Sequence, residues 1–378
     1  MSTTANISTT RDDQRTLVVI FLRGAADGLT LVAPIADDNY HKFRPRLAVK
    51  ASDAVRLDDT FGLHPNLRAL EPAWKDGELA IIHSAGGESD SRSHFEAQDL
   101  MEHGGITAGG WLARFLRARG PSRSPLSAVA LSATLPESLS GAPSAAALQS
   151  LDEFSIAEKE NKVKGEFTRE LRRLYALDQS PLRDAATNTF EALGRIESID
   201  AKAKPANGAD YDEKDSFGQG MRQVAQLIKA DVGLDAASVD LNGWDSHFTQ
   251  QTLIEPLMLR LANGLAAFRK DLGPRMADTT VVVMTEFGRR VAENSAFGTD
   301  HGRGSAMFVM GGGVRGGGRV IGGWAGLQPE MLEGPGDLPV LNNYRNILAP
   351  VLARHGADAA GLGSIFPDYT LKPLDLYG

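Results

Sequence analysis

The chain contains no cysteine among its 378 residues. That absence excludes disulfide bridges, thiolate catalysis and cysteine-ligated zinc sites, and it leaves the redox compartment open. Any metal ion must therefore be held by Asp, Glu and His side chains.

The sequence also lacks a long apolar run and an excess of positive charge. No run approaches the ~18–20 residues needed to span a bilayer, so no membrane span is predicted. The net charge is −8 and no block of Lys and Arg is present, which argues against a surface for nucleic-acid phosphates. A small anionic substrate stays compatible with this balance, because local charge and metal ions decide anion binding.

Residues 1–15 are polar and rich in Ser and Thr, a composition that predicts a disordered tail. They hold neither an apolar segment nor a twin arginine, so the sequence as it stands predicts a cytoplasmic protein, and an exported one only if a leader has been removed. Residues 16–378 are predicted to form a single α/β domain. The sequence does not indicate the oligomeric state.

Alternating apolar patterns predict the secondary structure. Apolar, β-branched segments predict strands at 16–22, 79–83, 126–133, 238–241, 279–284 and 306–310. Helical spacing or helix-start signals predict helices at 93–102, 253–272 and 344–354. This alternation favours a doubly wound, mostly parallel central sheet flanked by helices. The stretch at about 150–235, rich in Glu, Lys, Arg and Ala, predicts a helical insertion or cap.

Two clusters of acidic and imidazole side chains follow predicted strands directly. Asp245 and His247 are two residues apart, which puts both on one face of an extended chain and lets them share a metal; a turn acid beside an exposed histidine is the structural alternative. Glu286 follows the strand predicted at 279–284. A carboxylate at the end of a buried strand must be paired, hydrogen-bonded or metal-bound. A salt bridge to Arg289 or Arg290 is its structural alternative.

Further acids lie in small-residue turns. Asp27 precedes a glycine after the first strand, and Asp300 precedes His301 in a Gly-rich loop; both acids are equally compatible with turn chemistry. Ligands collect at the carboxyl ends of strands in an open α/β sheet. The residues predicted to converge on one oxygen and imidazole metal site are Asp27, Asp245, His247, Glu286, Asp300 and His301.

The segment from Ser93 to Glu96 matches a capping box, in which the serine and glutamate satisfy free amides at a helix start. A helix N-terminus also stabilises an anion and exposes a hydroxyl. Beside a divalent cation, Ser93 could serve as a nucleophile. Arg92 would lie within reach of an anionic substrate, and His94 belongs to the same motif.

In order along the chain, the motifs RGAADGL (23–29), GLHP (62–65), SRSHF (91–95), GWDSH (243–247), TEFGR (285–289) and DHG (300–302) resemble those of the DUF1501 family. Its members look like distant relatives of the alkaline phosphatase/sulfatase superfamily. The resemblance covers nearly the whole chain from Thr16 onward and implies an alkaline phosphatase-like α/β fold.

The resemblance also implies roles for single residues. It places metal ligands at Asp27, Asp245, His247, Glu286 and His301, and the nucleophile at Ser93. Two departures from the superfamily pattern are visible. The acid and histidine are spaced Asp-x-His instead of Asp-x-x-x-His, and Glu286-Phe287 replaces an Asp-His pair, which removes one ligand unless Asp300 substitutes.

The implied activity is hydrolysis of phosphate or sulfate esters with one or two divalent metal ions. Zinc is the favoured ion, with magnesium, manganese and calcium as alternatives. The metal would polarise the ester oxygen, and Ser93 would form a covalent intermediate that water then hydrolyses. Two other readings stay open: a catalytically degraded member that binds an anionic ligand or a partner protein, and a phosphomutase.

Overall fold

A computed structural model describes residues 15–120, 124–151, 161–177, 181–197, 199 and 203–377. Residues 1–14 of the predicted disordered tail lie outside the described residues, so that expectation stays a prediction.

The strands in the described part of the chain are β1 (Thr16–Arg23), β2 (Val32–Ala33), β3 (Val55–Arg56), β4 (Gly62–Leu63), β5 (Leu79–Gly86), β6 (Ala128–Leu131), β7 (Ala146–Ala147), β8 (Ala236–Asn242), β9 (Thr279–Met284), β10 (Ser305–Gly311) and β11 (Asn342–Asn343). The helices are α1 (Gly28–Leu31), α2 (Asp38–Phe43), α3 (Glu71–Lys75), α4 (His94–His103), α5 (Trp111–Ala118), α6 (Asn161–Ala176), α7 (Pro181–Glu197), α8 (Ser216–Lys229), α9 (Gln250–Leu272), α10 (Tyr344–Arg354) and α11 (Ala359–Ile365). Every strand and helix that the sequence predicts is present.

Among the described residues, eight strands form the central sheet, in the order β11-β5-β10-β9-β1-β8-β6-β7. β1 pairs in parallel with β8 on one side and β9 on the other, and β6 continues the sheet in parallel with β8. β10 is antiparallel to both of its neighbours, β5 and β9. The predicted fold class, a mostly parallel central sheet flanked by helices, is confirmed.

The central strands are buried on both faces, which explains their continuous apolar runs. In β1, Val18 and Ile20 enter one core, while Leu17 and Val19 enter the other. Residues of α8 and α9 cover the first core, and residues of α4, α5 and α10 cover the second. Helices therefore cover both faces of the sheet.

Helix α8 falls within the stretch at about 150–235 that is predicted as a helical insertion or cap. It packs on β8 and α9. Phe217, Met221 and Val224 are its buried contacts with the core. Helix α8 therefore belongs to the layer over the sheet. The assignment of 16–378 to a single domain stays a prediction.

Candidate metal centre

Five chain segments meet at one edge of the sheet. β1, β8 and β9 are parallel, so the residues that follow them lie at the same edge. β5, which leads to α4, runs in the same direction because β10 is antiparallel to both β5 and β9. For the same reason the residues before β10 also arrive there. The topology thus brings 24–27, 87–94, 243–247, 285–289 and 299–304 together.

Asp245 lies at the centre of this edge. Its Oδ1 is 2.7 Å from Arg289 Nη2, 3.1 Å from His247 Nε2 and 3.3 Å from His301 Nε2. Its Oδ2 is 3.4 Å from His94 Nε2. Burial raises the pKa of Asp245, but the hydrogen bond and charge of Arg289 outweigh that and lower it to about 2. Asp245 is therefore a carboxylate at neutral pH.

His94 is the first residue of α4 and is anchored through its far nitrogen. Nδ1 donates a 2.8 Å hydrogen bond to Oε1 of Glu286, and this bond raises the pKa of His94. Phe287 stacks on the ring, with centroids 5.1 Å apart. Nε2 is buried and has no hydrogen-bond partner among the described residues. When the ring is neutral, Nε2 therefore presents a lone pair toward Asp245.

His301 is held in the same manner by a backbone group. A 2.8 Å bond joins its Nδ1 to the carbonyl oxygen of Arg92. Since a carbonyl can only accept, Nδ1 carries the hydrogen, and Nε2 of the neutral ring is an acceptor that lies 2.9 Å from Nε2 of His247. Burial and the charge of Arg289 lower the pKa of His301. It is thus neutral, the form that a metal ligand requires.

His247 is the third histidine beside Asp245. Its Nδ1 lies 3.5 Å from Oδ1 of Asp300, and its Nε2 lies 2.9 Å from Nε2 of His301. The side chain is 42% exposed, against 16% for His301. His247 is consequently the most accessible of the three rings.

This donor set fits a divalent ion. The ligand atoms of His94, Asp245 and His301 lie within 4.8 Å of one another. A tetrahedral zinc ion with ligands at ~2.0–2.2 Å separates its ligand atoms by roughly 3.3–3.6 Å. In the structure, Oδ1 of Asp245 lies 3.3 Å from Nε2 of His301, and Oδ2 lies 3.4 Å from Nε2 of His94. Imidazole nitrogen and carboxylate oxygen are zinc donors. The hydrogen bonds on the far nitrogens supply the orientation that metal-bound histidines need.

Glu286 lies beside His94, and both of its carboxylate oxygens accept hydrogen bonds from the protein. Its Oε1 accepts from the Gly24 amide, His94 and Gln98, at 2.8–2.9 Å. Its Oε2 accepts from the Thr285 hydroxyl. The predicted alternative, a salt bridge to a nearby arginine, is absent from the described contacts of Glu286. Glu286 contacts Nδ1 of His94, whereas Nε2 of the same ring faces Asp245.

Asp300 likewise contacts the Nδ1 atom of a histidine, in this case His247. Oδ1 accepts from the Asn294 side chain at 3.2 Å and faces Nδ1 of His247, while Oδ2 lies 3.6 Å from Arg290. Hydrogen bonds from Asn294 and His247 outweigh burial and lower the pKa of Asp300. Its carboxylate thus faces His247 and Arg290, and metal binding by Asp300 stays a prediction.

Asp27 lies in the turn after β1 and is paired with an arginine of the protein. It is 2% exposed, and Arg44 pairs with both of its oxygens at 2.6 and 3.1 Å. The Thr30 hydroxyl and the Gln250 amide donate to Oδ2, and the Leu29 amide donates to Oδ1 at the start of α1. All of its acceptor sites are used by the protein, so Asp27 is a buried ion-pair residue.

Ser93 lies at the N-cap of α4, as predicted, but the capping box does not form. Ser93 is exposed, and in the described structure its side chain makes no capping bond. Glu96 instead accepts from the hydroxyl of Ser91 at 2.7 Å. The Ser93 hydroxyl is therefore not committed to its own helix.

Arg92 is tied to the protein instead of being free for an anion. Nη2 pairs with Asp337 at 2.5 Å, and Nη1 donates to the carbonyl oxygen of His301. Together with the bond from His301 Nδ1 to the Arg92 carbonyl, these contacts lock the two segments to each other. Contact of Arg92 with an anionic substrate stays a prediction.

Arg289 is a site residue whose role the sequence does not reveal. Its guanidinium is fully buried and donates to the carbonyls of Gly24, Ala25, Trp244 and Thr299 as well as to Asp245. Gly24 has φ +117°, and a Cβ there would lie 2.5 Å from the Asp245 amide. The sequence showed Arg289 only as a neighbour of Glu286; its true partners are distant in the chain.

The sheet and its edge define an α/β protein with a His/Asp centre suited to a divalent ion. A family model described as "Protein of unknown function (DUF1501)" matches residues 88–361. The chain therefore belongs to that family, and the resemblance seen in its motifs is confirmed. No curated protein matches the chain.

Three similar solved structures have 9–10% identity to this chain. The C-terminal periplasmic domain of EcEptC from Escherichia coli, in complex with Zn, covers 79% of this chain and 73% of its own, with a TM-score of 0.37. Alkaline phosphatase from the Antarctic bacterium TAB5 covers 80% and 92%, with a TM-score of 0.34. Its His 135 Asp mutant with bound Mg covers the same shares, with a TM-score of 0.32. No described helix combines the length and apolarity that a bilayer crossing requires.

Proposed function

We propose that this protein is a metal-dependent hydrolase of phosphate or sulfate esters. One divalent ion, zinc by donor chemistry, would be held by His94, Asp245 and His301, with His247 beside it. The observation that carries the proposal is the shared orientation of three imidazoles: each Nδ1 faces an oxygen of the protein and each Nε2 faces the Asp245 carboxylate. Such anchoring is typical of metal-bound histidines.

The proposal is limited to one ion. The carboxylate that the resemblance assigns to a second ion, Asp27, is neutralised by Arg44. Two oxygen-bound ions would need carboxylates that the protein has not already paired. A single centre with three protein ligands leaves a coordination position for substrate, as catalytic zinc sites do.

A bound divalent ion would supply Lewis-acid polarisation of the ester and its charge neutralisation. Ser93 is adjacent to His94, is exposed, and starts α4, whose first amides favour an anion. In the proposed reaction the Ser93 oxygen bonds to phosphorus or sulfur while the bond to the leaving alcohol breaks, and the alcohol takes up the hydroxyl proton. Water then cleaves the serine ester, which releases phosphate or sulfate and restores the hydroxyl.

A binding protein without turnover is the second candidate, and one observation favours it. Arg289 already forms a 2.7 Å ion pair with Oδ1 of Asp245, so the carboxylate has a counter-charge without any metal. In that case the edge would bind an anionic ligand with His94, whose pKa is raised, as the cationic partner.

Elemental analysis of the purified protein and turnover of two aryl esters distinguish these candidates. The hydrolase should carry about one zinc per chain and cleave p-nitrophenyl phosphate or p-nitrophenyl sulfate, with loss of activity in a chelator and recovery on zinc addition. Ser93→Ala should keep the metal and lose turnover. Ser52→Ala, an exposed serine outside the site, is the matched control and should retain it.

Protein that binds zinc but leaves both esters intact would favour the binding protein. A preparation without metal, indifferent to chelator and to added zinc, would eliminate the hydrolase.

A further inference from the structure

A cavity of about 290 Å³ lies beside the metal centre. Its apolar wall is formed by one face of α4 together with three side chains from other segments: Ala97, Leu100, Met101, Ile106, Phe287 and Tyr344. Phe287 belongs to both places, because its ring also packs at 5.1 Å from His94 and 5.0 Å from His301. The cavity and the centre therefore share a wall.

The charged groups of the cavity are already paired. Arg345 lies 3.1 Å from Glu88, and its Nε donates to the Gly104 carbonyl. Arg303 pairs with Glu333 and donates to the carbonyls of the 87–88 loop. With its guanidinium groups neutralised, the cavity favours an apolar group over a second anion.

The connection between the two places is short. Ser91 lines the cavity, and His94, three residues later, carries a ligand nitrogen of the proposed centre. Even a fully extended chain spans at most about 10 Å over that interval. Ile106 lines the cavity and is 81% exposed, so the cavity is accessible from solvent at this residue.

We infer that this cavity receives the apolar group of the ester whose head group binds at the metal centre. The substrate class is thus a phosphate or sulfate monoester of an alkyl or aryl-alkyl alcohol. At about 30 Å³ for each water-sized group, the cavity holds roughly ten carbon atoms. This inference rests on the proposed function.

Binding of non-hydrolysable alkylphosphonates tests the inference without turnover. Zinc-loaded protein is titrated calorimetrically with methyl-, butyl-, octyl- and decylphosphonate. Each methylene that enters the cavity should raise the affinity about fourfold, with most of the gain between the butyl and decyl compounds. The affinity of methylphosphonate reports the head group alone.

Two variants and a control locate the effect. Leu100→Trp fills the cavity, and Ile106→Ser removes its apolar lip at an exposed position that folding does not depend on. Both should reduce the gain from butyl to decyl at least tenfold and leave methylphosphonate affinity unchanged. Leu259→Ser, at a 44% exposed position of α9 outside both places, should retain the full gain.

An affinity that is independent of chain length, with methylphosphonate still bound, overturns the inference and leaves the hydrolase proposal standing. The same holds if the gain is present but survives in Leu100→Trp and Ile106→Ser. Absence of any phosphonate binding to zinc-loaded protein overturns both proposals.

Discussion

Two carboxylates follow neighbouring parallel strands, and their surroundings could hardly differ more. Asp27 comes after β1 and Asp245 after β8, strands paired in register. Asp27 is 2% exposed and surrounded by donors from Arg44, Thr30 and Gln250. The Asp245 side chain is 47% exposed and faces three imidazoles.

The difference shows what leaves a carboxylate at the end of a strand available to bind a ligand. A guanidinium delivered from the end of α2 satisfies Asp27 within the protein, since Arg44 reaches both oxygens. Asp245 has one arginine on one oxygen, and its remaining neighbours are the Nε2 atoms of three histidines. The partners, and not the acid or its position on the sheet, separate an internal ion pair from a candidate metal site.

The largest expected contrast comes from neutralising each acid in turn. Asp245→Asn should reduce bound zinc from about one per chain to background, because it removes the charge that the imidazoles surround. Asp27→Asn should leave zinc binding intact but lower the free energy of unfolding by about 3–5 kcal/mol, since Arg44 would stay buried without its counter-charge. Elemental analysis and urea unfolding measure the two effects. Zinc loss in Asp27→Asn with unchanged stability would reverse the comparison.

The region around Asp27 should also make the free energy of unfolding depend on acid pH. His83 is completely buried there; its Nε2 donates to the Val32 carbonyl and its Nδ1 accepts from the Ser84 amide. Burial lowers the pKa of His83 to about 4, against about 6.5 in the unfolded chain. Between these values only the unfolded state takes up the proton, so stability falls as pH drops from 6.5 to 4.

The expected loss is about 1.4 kcal/mol per pH unit for this one histidine, or about 3 kcal/mol over the window. Urea midpoints from pH 7.5 to 4.5 measure it in the wild type. His83→Gln keeps one donor and one acceptor but does not titrate, and its pH slope should be correspondingly shallower. Equal slopes in the two proteins would show that His83 is not the group responsible. His355, whose pKa burial lowers to about 3, contributes a separate slope in both.

On the Asp245 side, the carboxylate behind His94 should tune metal affinity. Glu286→Gln removes the charge that orients and polarises the ring, so zinc affinity should fall about 10–100-fold while the centre remains formed. Competition titration against a chromogenic chelator measures the change. Glu96→Gln, at an exposed position of the same helix, provides the control and should bind zinc like the wild type. Unchanged affinity in Glu286→Gln would assign Glu286 to packing alone.

The smallest expected effects concern the N-cap residues of two helices, α2 and α4. Asp37 caps α2, the helix that delivers Arg44, with a 2.9 Å bond from the Asn39 amide, so Asp37→Ala should cost about 0.5–2 kcal/mol. Ser93 makes no such bond in the described structure, so Ser93→Ala should change unfolding by less than about 0.5 kcal/mol. Thermal unfolding resolves the two. A large loss in Ser93→Ala would mean that its hydroxyl supports the helix after all.

Much of the architecture could be predicted because it depends on local pattern. The apolar run at 279–284 predicts β9 to the residue, and the run at 344–354 predicts α10. Residues 16–22 predict β1 because a strand buried on both faces needs apolar side chains in succession. The orientation of β10 was not readable from its own residues, since pairing direction is set by the strands on either side.

The candidate site divides in the same way. Asp245, His247 and His301 were predicted as ligands from their residue types and their places beside strands, and the structure brings them together. His94 was predicted only as part of the Ser93 motif, and it carries the buried, unpartnered nitrogen of the described site. Glu286 and Asp300 were predicted as ligands as well, and in the structure they contact the Nδ1 atoms of His94 and His247.

The sequence by itself determined the sheet, its helical layers, the segments that end at one edge, and the exclusion of thiolate chemistry. Only the tertiary structure decided which acids stay available, because a carboxylate's role depends on donors that arrive from distant segments. Arg44 is 17 residues from Asp27, and Arg289 is 44 residues from Asp245. Hydrogen bonding and ion pairing act over about 3 Å in space, and sequence separation does not reveal that distance.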